Sequence, residues 1–523
     1  MFDILIKNGM LVDGTGKAMY QANIGIKEDR IVEIGELHNE KGEIEIDAEG
    51  KIVCPGFIDV NNHSDTYWQI FQNPNLESLL YQGITTIIGG NCGSSLAPLA
   101  DSKTLQSIQK WSNLNQINFN WLSLKEFFDF LETKKISVNF GTLTGHGTLR
   151  RGILKDQMRG LEQKELDFVK KMLTQSFKEG ALGMSTGLVY THARSATVDE
   201  LSELANIIKK FDGVYVTHVR DERKDFLEAI EESIKVAEKT GVKLHIAHLK
   251  VMGENNWDLM DDAFYLLDKA HEKGMEISFD VFPYTNTGTV LYTLLPNWVS
   301  AGGKKVMLQR LKDQIIRKKV IREMQESGFN YSKIEIAISL LNKTLGNKSI
   351  AEIAKSQEKS LEEAVLDILL ASEGRVITSM EVLSEENVEK AIMHPLSIIS
   401  TNGAGYNIAH SKTGELVHPR SFGTFPKVLA KYVKEKKIIS WEEAIRKMTL
   451  APAKKFGIEK RGKLELKYFA DIAIIDQNKI EDLATADNPY QYSQGVETLI
   501  INGQLVLDKG KCTGLKNGKV LRR

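Results

Sequence analysis

The stretch "PGFIDVNNHSD", Pro55 to Asp65, sets the frame for the rest of the chain. Its apolar run is the length of one buried strand, and it ends in asparagines, a histidine and an aspartate. These are polar groups delivered where a strand gives way to a loop. Runs of the same kind recur downstream as "GITTIIGG", "VNFGTLTGHG", "ALGMSTGLV", "GVYVTHV", "VKLHIAHL", "MEISFDVF" and "LSIIST". Helix-like stretches such as "GLEQKELDFVKKMLTQSFKEG" and "DFLEAIEESIKVAEKTG" separate them. This alternation implies parallel strands joined by helical crossovers, and its strand count predicts an α/β fold with a (β/α)8 TIM-like barrel over residues 58–455. The interval from Phe282 to His394 is too long for one crossover, which predicts a small inserted subdomain near 287–346.

The two ends of the chain read alike. "ILIKNGMLVDGTG" and "LIINGQLVLDKGKCTG" each place a β-type run, an Asn-Gly turn and a second run. With the alternating runs between Ala22 and Val53 and "ADIAIIDQ" at Ala470, they predict that residues 1–57 and 456–523 join in one small composite β-sandwich.

Bulk properties exclude several classes of function. Apolar content of 42% and charged content of 26% are those of an ordinary soluble domain, and a formal charge of -1 gives no reason to expect nucleic acid or an anionic membrane as partner. No apolar run approaches the roughly 20 residues that cross a bilayer. The amino terminus, with Asp3 and early Asn-Gly and Asp-Gly turns, is unlike a signal peptide. Three scattered cysteines, Cys54, Cys92 and Cys512, suit a reducing cytoplasm and a ligand or nucleophile role better than a disulfide framework. Oligomeric state is not legible in the sequence.

Five polar groups fall at the carboxyl ends of the expected strands: His63, Cys92, His218, His248 and Asn402. Imidazole and thiolate are good zinc ligands, so this set points to a metal site at the catalytic face of a barrel. Strand alternation puts His248 on one face with Leu244, Ile246 and Lys250, and His245 on the other. The same rule pairs His218 with Arg220, which either reaches the mouth or binds a nearby carboxylate. Cys92 lies in "IIGGNCGSSLAPL", among glycines and polar residues rather than in an apolar setting.

The set "PGFIDV", "GGNCGSSLAPL", "GHGTLR", "GLVY", "THVRDE", "AHLK", "HPRSFGTFP" and "NPYQYSQGVETLIINGQ" resembles the N-acyl-D-amino-acid deacylase (D-aminoacylase) family of the amidohydrolase superfamily, in order and over nearly the whole chain. The resemblance implies a zinc-dependent hydrolase whose small-molecule substrate is an N-acyl amino acid, with one tightly held Zn2+ on Cys92, His218 and His248. A His-x-His pair tied to a second, weaker metal position falls on Asn61 and His63, so the second site is doubtful. The family's general-base aspartate falls on Asn402, whose amide takes up no proton near neutral pH. The chain is then either an impaired deacylase, a weakly active or inactive metal-binding relative, or an amidohydrolase acting on cyclic amides or D-dipeptides. Asp65, His410 and His418 are the groups that could stand in for the base. Lys250, Tyr284 and Arg420 are the expected contacts of the substrate carboxylate, with Asp280 as the competing partner of Lys250. His146 either donates to the oxyanion or structures its loop, and Asp221 and Glu222 either support His218 or form loop salt bridges.

Overall fold

The computed structural model of the chain describes residues 1–37, 39–108, 120–155, 157–339, 341 and 343–523. Eight strands follow one another around a parallel sheet: Phe57–Asp59 (β1), Ile84–Gly89 (β2), Asn139–Gly145 (β3), Gly183–Gly187 (β4), Val214–His218 (β5), Lys243–Ile246 (β6), Ile277–Val281 (β7) and Ser397–Ile399 (β8). Beyond their ends β8 and β1 meet through a parallel bridge between Asn62 and Gly403, where the His63 N–H donates to the Gly403 carbonyl at 2.7 Å. The buried Asp59 carboxylate reinforces this seam by accepting the Thr401 N–H at 2.9 Å and its hydroxyl at 2.6 Å. The seam therefore closes the barrel next to Asn402.

Side chains alternate across the strands as a two-sided burial requires. Ile58, Val60, Ile88, Leu143, Val214, Val216, Ala247 and Ile398 fill the interior with Phe456. Tyr215, Leu244, Ile246 and Phe279 instead pack outward with helix residues such as Ile230 and Leu267. The helix Phe226–Thr240 shows the matching spacing, burying Phe226, Ala229, Ile230, Ser233, Val236 and Ala237 before Gly241 caps it at φ 67°.

Strands from both termini share one nine-stranded sheet, joined where Ile52–Pro55 runs antiparallel to Ile472–Ile475. Ile4, Ile6, Ile24 and Ile26 meet Ile472, Ile474 and Ile500 in its core. A polar knot fastens it to the barrel: Arg461 binds the Asp471 carboxylate, which also accepts the Asn139 amide of β3 at 3.0 Å.

The inserted unit runs further than the expected 287–346. It is a three-stranded antiparallel sheet of Asn286–Val290, Val376–Glu381 and Ile334–Ser339, with Val376–Glu381 in the middle. The helix Leu361–Ala371 packs Leu366 and Leu369 into this unit's own core with Leu294, Leu311 and Ile336. Among the described residues no helix is long and apolar enough to cross a membrane.

Candidate metal centre

Two of the three metal-ligating candidates, Cys92 and His248, are placed by a local departure from regular backbone. After β2 the chain turns at Gly90, φ 74°, where a Cβ would lie 2.0 Å from the Leu143 carbonyl oxygen, so glycine alone fits. The turn presents Cys92, itself at φ 52°. His218 is the last residue of β5 and points inward with Val214 and Val216. His248 reaches the mouth for a reason other than alternation. Leu244 and Ile246 face the outer helices, and His245 is the residue of β6 that faces the interior. His248 follows the strand and is swung inward by a left-handed φ of 38°. Asn402 is likewise at φ 47°. Left-handed backbone at three non-glycine residues is strain held at one site by its surroundings.

The ligand atoms of Cys92, His218 and His248 all lie within 4.8 Å of one another. Cys92 Sγ is 3.6 Å from His248 Nε2, and the two imidazoles stand edge to face with centroids 4.3 Å apart. Neither ring nitrogen of the buried His218 has a hydrogen-bond partner. Buried polar atoms are rarely left so, and here they converge with a second imidazole and a thiol. Burial pushes the Cys92 thiol up to about 12, so it is neutral unless a cation sits against it. Burial also holds His218 well below the usual histidine value, and His248 below it, leaving neutral rings with lone pairs to donate. A tetrahedral divalent ion such as zinc fits this donor set, with one position open.

Glu222 stands behind the donors, its Oε1 3.3 Å from His248 Nδ1 and 3.4 Å from His218 Nε2. It also binds Lys250 Nζ directly. Burial alone would raise the Glu222 pKa, but Lys250 and the two histidines outweigh it and hold the carboxyl well below the usual range. A carboxylate behind ligand imidazoles fixes their orientation and raises their basicity. Lys250 is thus engaged by Glu222 rather than by Asp280. Asp280 binds His245 Nε2 at 3.0 Å, Ser400 Oγ, and the Asn61 amide at 3.3 Å. Asp221 accepts the Arg223 N–H at 2.7 Å, and Arg220 makes a paired contact with Glu232 at 2.9 and 2.7 Å, so neither reaches the mouth.

The chamber above the donors is lined by His63, Cys92, His218, His248, Lys250, Asn402 and Arg420. His63 Nε2 lies 2.9 Å from Asn402 Oδ1 and 4.0 Å from Cys92 Sγ. Asn61 does not reach the lining, because Asp280 holds its amide. Arg420 is buried with its guanidinium 5.0 Å from the Phe282 ring, and its Nε and Nη1 have no hydrogen-bond partner.

Two expected substrate contacts lie elsewhere. His146 is fully buried with Nε2 on Glu200 at 2.9 Å, so it braces its helix rather than an oxyanion. Tyr284 packs against His418, with Lys427 Nζ 4.0 Å over its ring, and does not line the chamber. The three stand-ins for a base are also engaged away from the donors. Asp65 accepts the Gly90 and Thr66 N–H groups, each at 2.7 Å. His410 faces Glu415 at 3.1 Å, and His418 Nε2 meets the Asn286 carbonyl at 3.0 Å. Tyr190, the last residue of "GLVY", whose ring stands edge-on to His218, completes the wall with Thr289 of the inserted sheet, which has no distinguishing sequence signal.

A model of the amidohydrolase family (Amidohydro_3) matches residues 45–293 and 408–507, more than half of the chain. A D-aminoacylase of Alcaligenes xylosoxydans xylosoxydans is 29% identical over 522 residues, covering 100% of this chain and 98% of the relative. A solved D-aminoacylase with a binuclear metal centre superposes with a TM-score of 0.85 at 27% identity, covering 100% of both chains. The zinc and phosphonate-inhibitor complex of an N-acyl-D-glutamate deacylase from Bordetella bronchiseptica does so with 0.84 at 27%, again covering 100% of both. With the family model, the full-length likeness and the barrel in agreement, the chain belongs to the amidohydrolase family of metal-dependent hydrolases.

Proposed function

We propose that this protein is a zinc-dependent deacylase of N-acyl-D-amino acids that works with one metal ion and a weakened proton-transfer step. The observation that carries the reading is the convergence of Cys92, His218 and His248 around two unpartnered imidazole nitrogens. Zinc on those donors supplies Lewis acidity, polarising a carbonyl and making water more acidic, towards a pKa of about 7.

The chain's own residues do the remainder. Glu222 holds the His248 ring through Nδ1 and places its negative charge 3.4 Å from His218. Arg420, buried with open N–H groups, receives the substrate carboxylate and so aligns the amide with the donors. His63 and Asn402 hold each other at the far wall and orient what enters beside them. The proton is the weak point. Asn402 Oδ1 takes up none, and Glu222, the sole acid of the lining among the described residues, is occupied by Lys250 and His248. That observation favours a second reading, a metal-binding relative with little turnover. The missing second imidazole at Asn61 weighs against an activity on cyclic amides that needs two metals.

Hydrolysis of N-acetyl-D- and N-acetyl-L-amino acids by zinc-loaded protein, with and without Asn402→Asp, separates these readings. Slow D-selective release of amino acid, accelerated by the substitution, supports the deacylase. Zinc binding with no hydrolysis in either form supports the binding protein.

A further inference from the structure

Asn402 turns a hydrogen-bond donor towards the chamber it lines. Its Oδ1 accepts from His63 Nε2 at 2.9 Å, and among the described residues its Nδ2 has no hydrogen-bond partner. A carboxamide held this way offers N–H groups and no lone pair to a bound molecule. Arg420, with open donors of its own, lines the same two adjoining spaces as Asn402. The carboxylate-bearing half of a substrate held by Arg420 therefore lies beside that amide, and the atom bridging it to the acyl carbonyl meets Asn402 Nδ2. An amide N–H at that atom sets donor against donor, whereas an ester oxygen brings a lone pair.

Bond cleavage discriminates in the same direction. An amide nitrogen must be protonated as it leaves, whereas an alkoxide next to a carboxylate leaves with far less help. Water made more acidic at the donor cluster attacks a carbonyl without a protein base. The leaving step has no such support. The sole carboxyl group of the lining among the described residues, Glu222, is bound by Lys250, and Asn402 has no acid proton to give. What the chamber lacks is thus what an amide needs and an ester does not.

We propose that the chamber also hydrolyses O-acyl esters of 2-hydroxycarboxylic acids, and that it favours them over the corresponding N-acyl amino acids. The assignment rests on the deacylase reading and uses the same donors and the same Arg420. Water adds its oxygen to the acyl carbon, and the bond from that carbon to the bridging oxygen breaks. The bond pair stays on the bridging oxygen, which takes up a proton from water. The products are a carboxylate, a 2-hydroxycarboxylate and a proton.

Binding separates the bridging atom from turnover. The probes are two methylphosphonate mimics of the tetrahedral adduct, one carrying D-lactate through oxygen and the other D-alanine through N–H, titrated calorimetrically into the zinc-loaded full chain. The oxygen-bridged mimic is expected to bind at least about tenfold more tightly, because its partner leaves Asn402 Nδ2 opposed. Asn402→Asp, which supplies an acceptor, is expected to reverse that order. Hydrolysis gives a second readout. The ratio of kcat/KM for O-acetyl-D-lactate to that for N-acetyl-D-alanine is expected to fall at least about 10²-fold on Asn402→Asp. Equal or tighter binding of the N–H-bridged mimic by the unmodified chain, or a hydrolysis ratio that the substitution leaves unchanged, would overturn the ester assignment and leave the deacylase reading standing. Failure of both mimics to bind would overturn both.

Discussion

Beside Cys92 and His248 the chamber presents an imidazole without hydrogen-bond partners, whereas where β1 and β8 meet it presents side chains that have found one another. His218 keeps both ring nitrogens free of hydrogen bonds beside Cys92 and His248. Across the chamber, His63 rests on Asn402 at 2.9 Å; behind it, outside the lining, Asn61 donates its amide N–H to Asp280 at 3.3 Å while its Oδ1 has no partner. An imidazole that cannot satisfy itself suits an added ion, whereas His63 Nε2 and Asn402 Oδ1 already satisfy each other. The asymmetry leads to an expectation of one metal rather than two, and of a reaction limited by its proton transfer rather than by its Lewis acid.

The first way to break this comparison is to remove a donor from the open half. His218→Ala is expected to weaken zinc binding by more than the roughly 10- to 100-fold that loss of a supporting residue costs, and to abolish hydrolysis, as read by metal analysis after dialysis and by amino-acid release. Next is the closed half: Asn402→Asp restores a proton acceptor and is expected to raise kcat by about 10²- to 10⁴-fold, with KM little changed. An unchanged kcat in a zinc-replete sample would show that the proton is handled elsewhere. Glu222→Gln tests the support behind the donors and is expected to lower zinc affinity about 10- to 100-fold in a competition titration. The smallest effect is reserved for Asn61→His. Asp280 is expected to capture the new imidazole N–H as it does the amide, leaving the zinc content of the chain unchanged. A second zinc bound by that variant alone would contradict the closed character of this half.

Much of the site is legible in the sequence because strand ends are. Cys92, His218 and His248 are chemically distinctive, and each sits where a short apolar run stops. His248 nevertheless reaches the site by a route that alternation does not predict. Alternation groups it with Leu244 and Ile246, which face the outer helices, and it is the left-handed turn after β6 that brings it inward. Side-chain choices within reach of several partners were not readable at all. Lys250 goes to Glu222 rather than Asp280, and His146 to Glu200 rather than to the chamber, because these pairings depend on loop paths that no spacing encodes. The inserted unit extends past its expected bounds for a related reason. The strand Val376–Glu381 alternates in burial, but its two partners lie 89 and about 40 residues away, and only their pairing reveals it.

X-ray absorption at the zinc edge of the zinc-loaded protein tests the central claim most directly. One sulfur at about 2.3 Å and two imidazole nitrogens at about 2.0–2.1 Å, with no metal neighbour, is the predicted coordination shell. A shell without sulfur, or a second metal within about 3.5–4 Å, would contradict it.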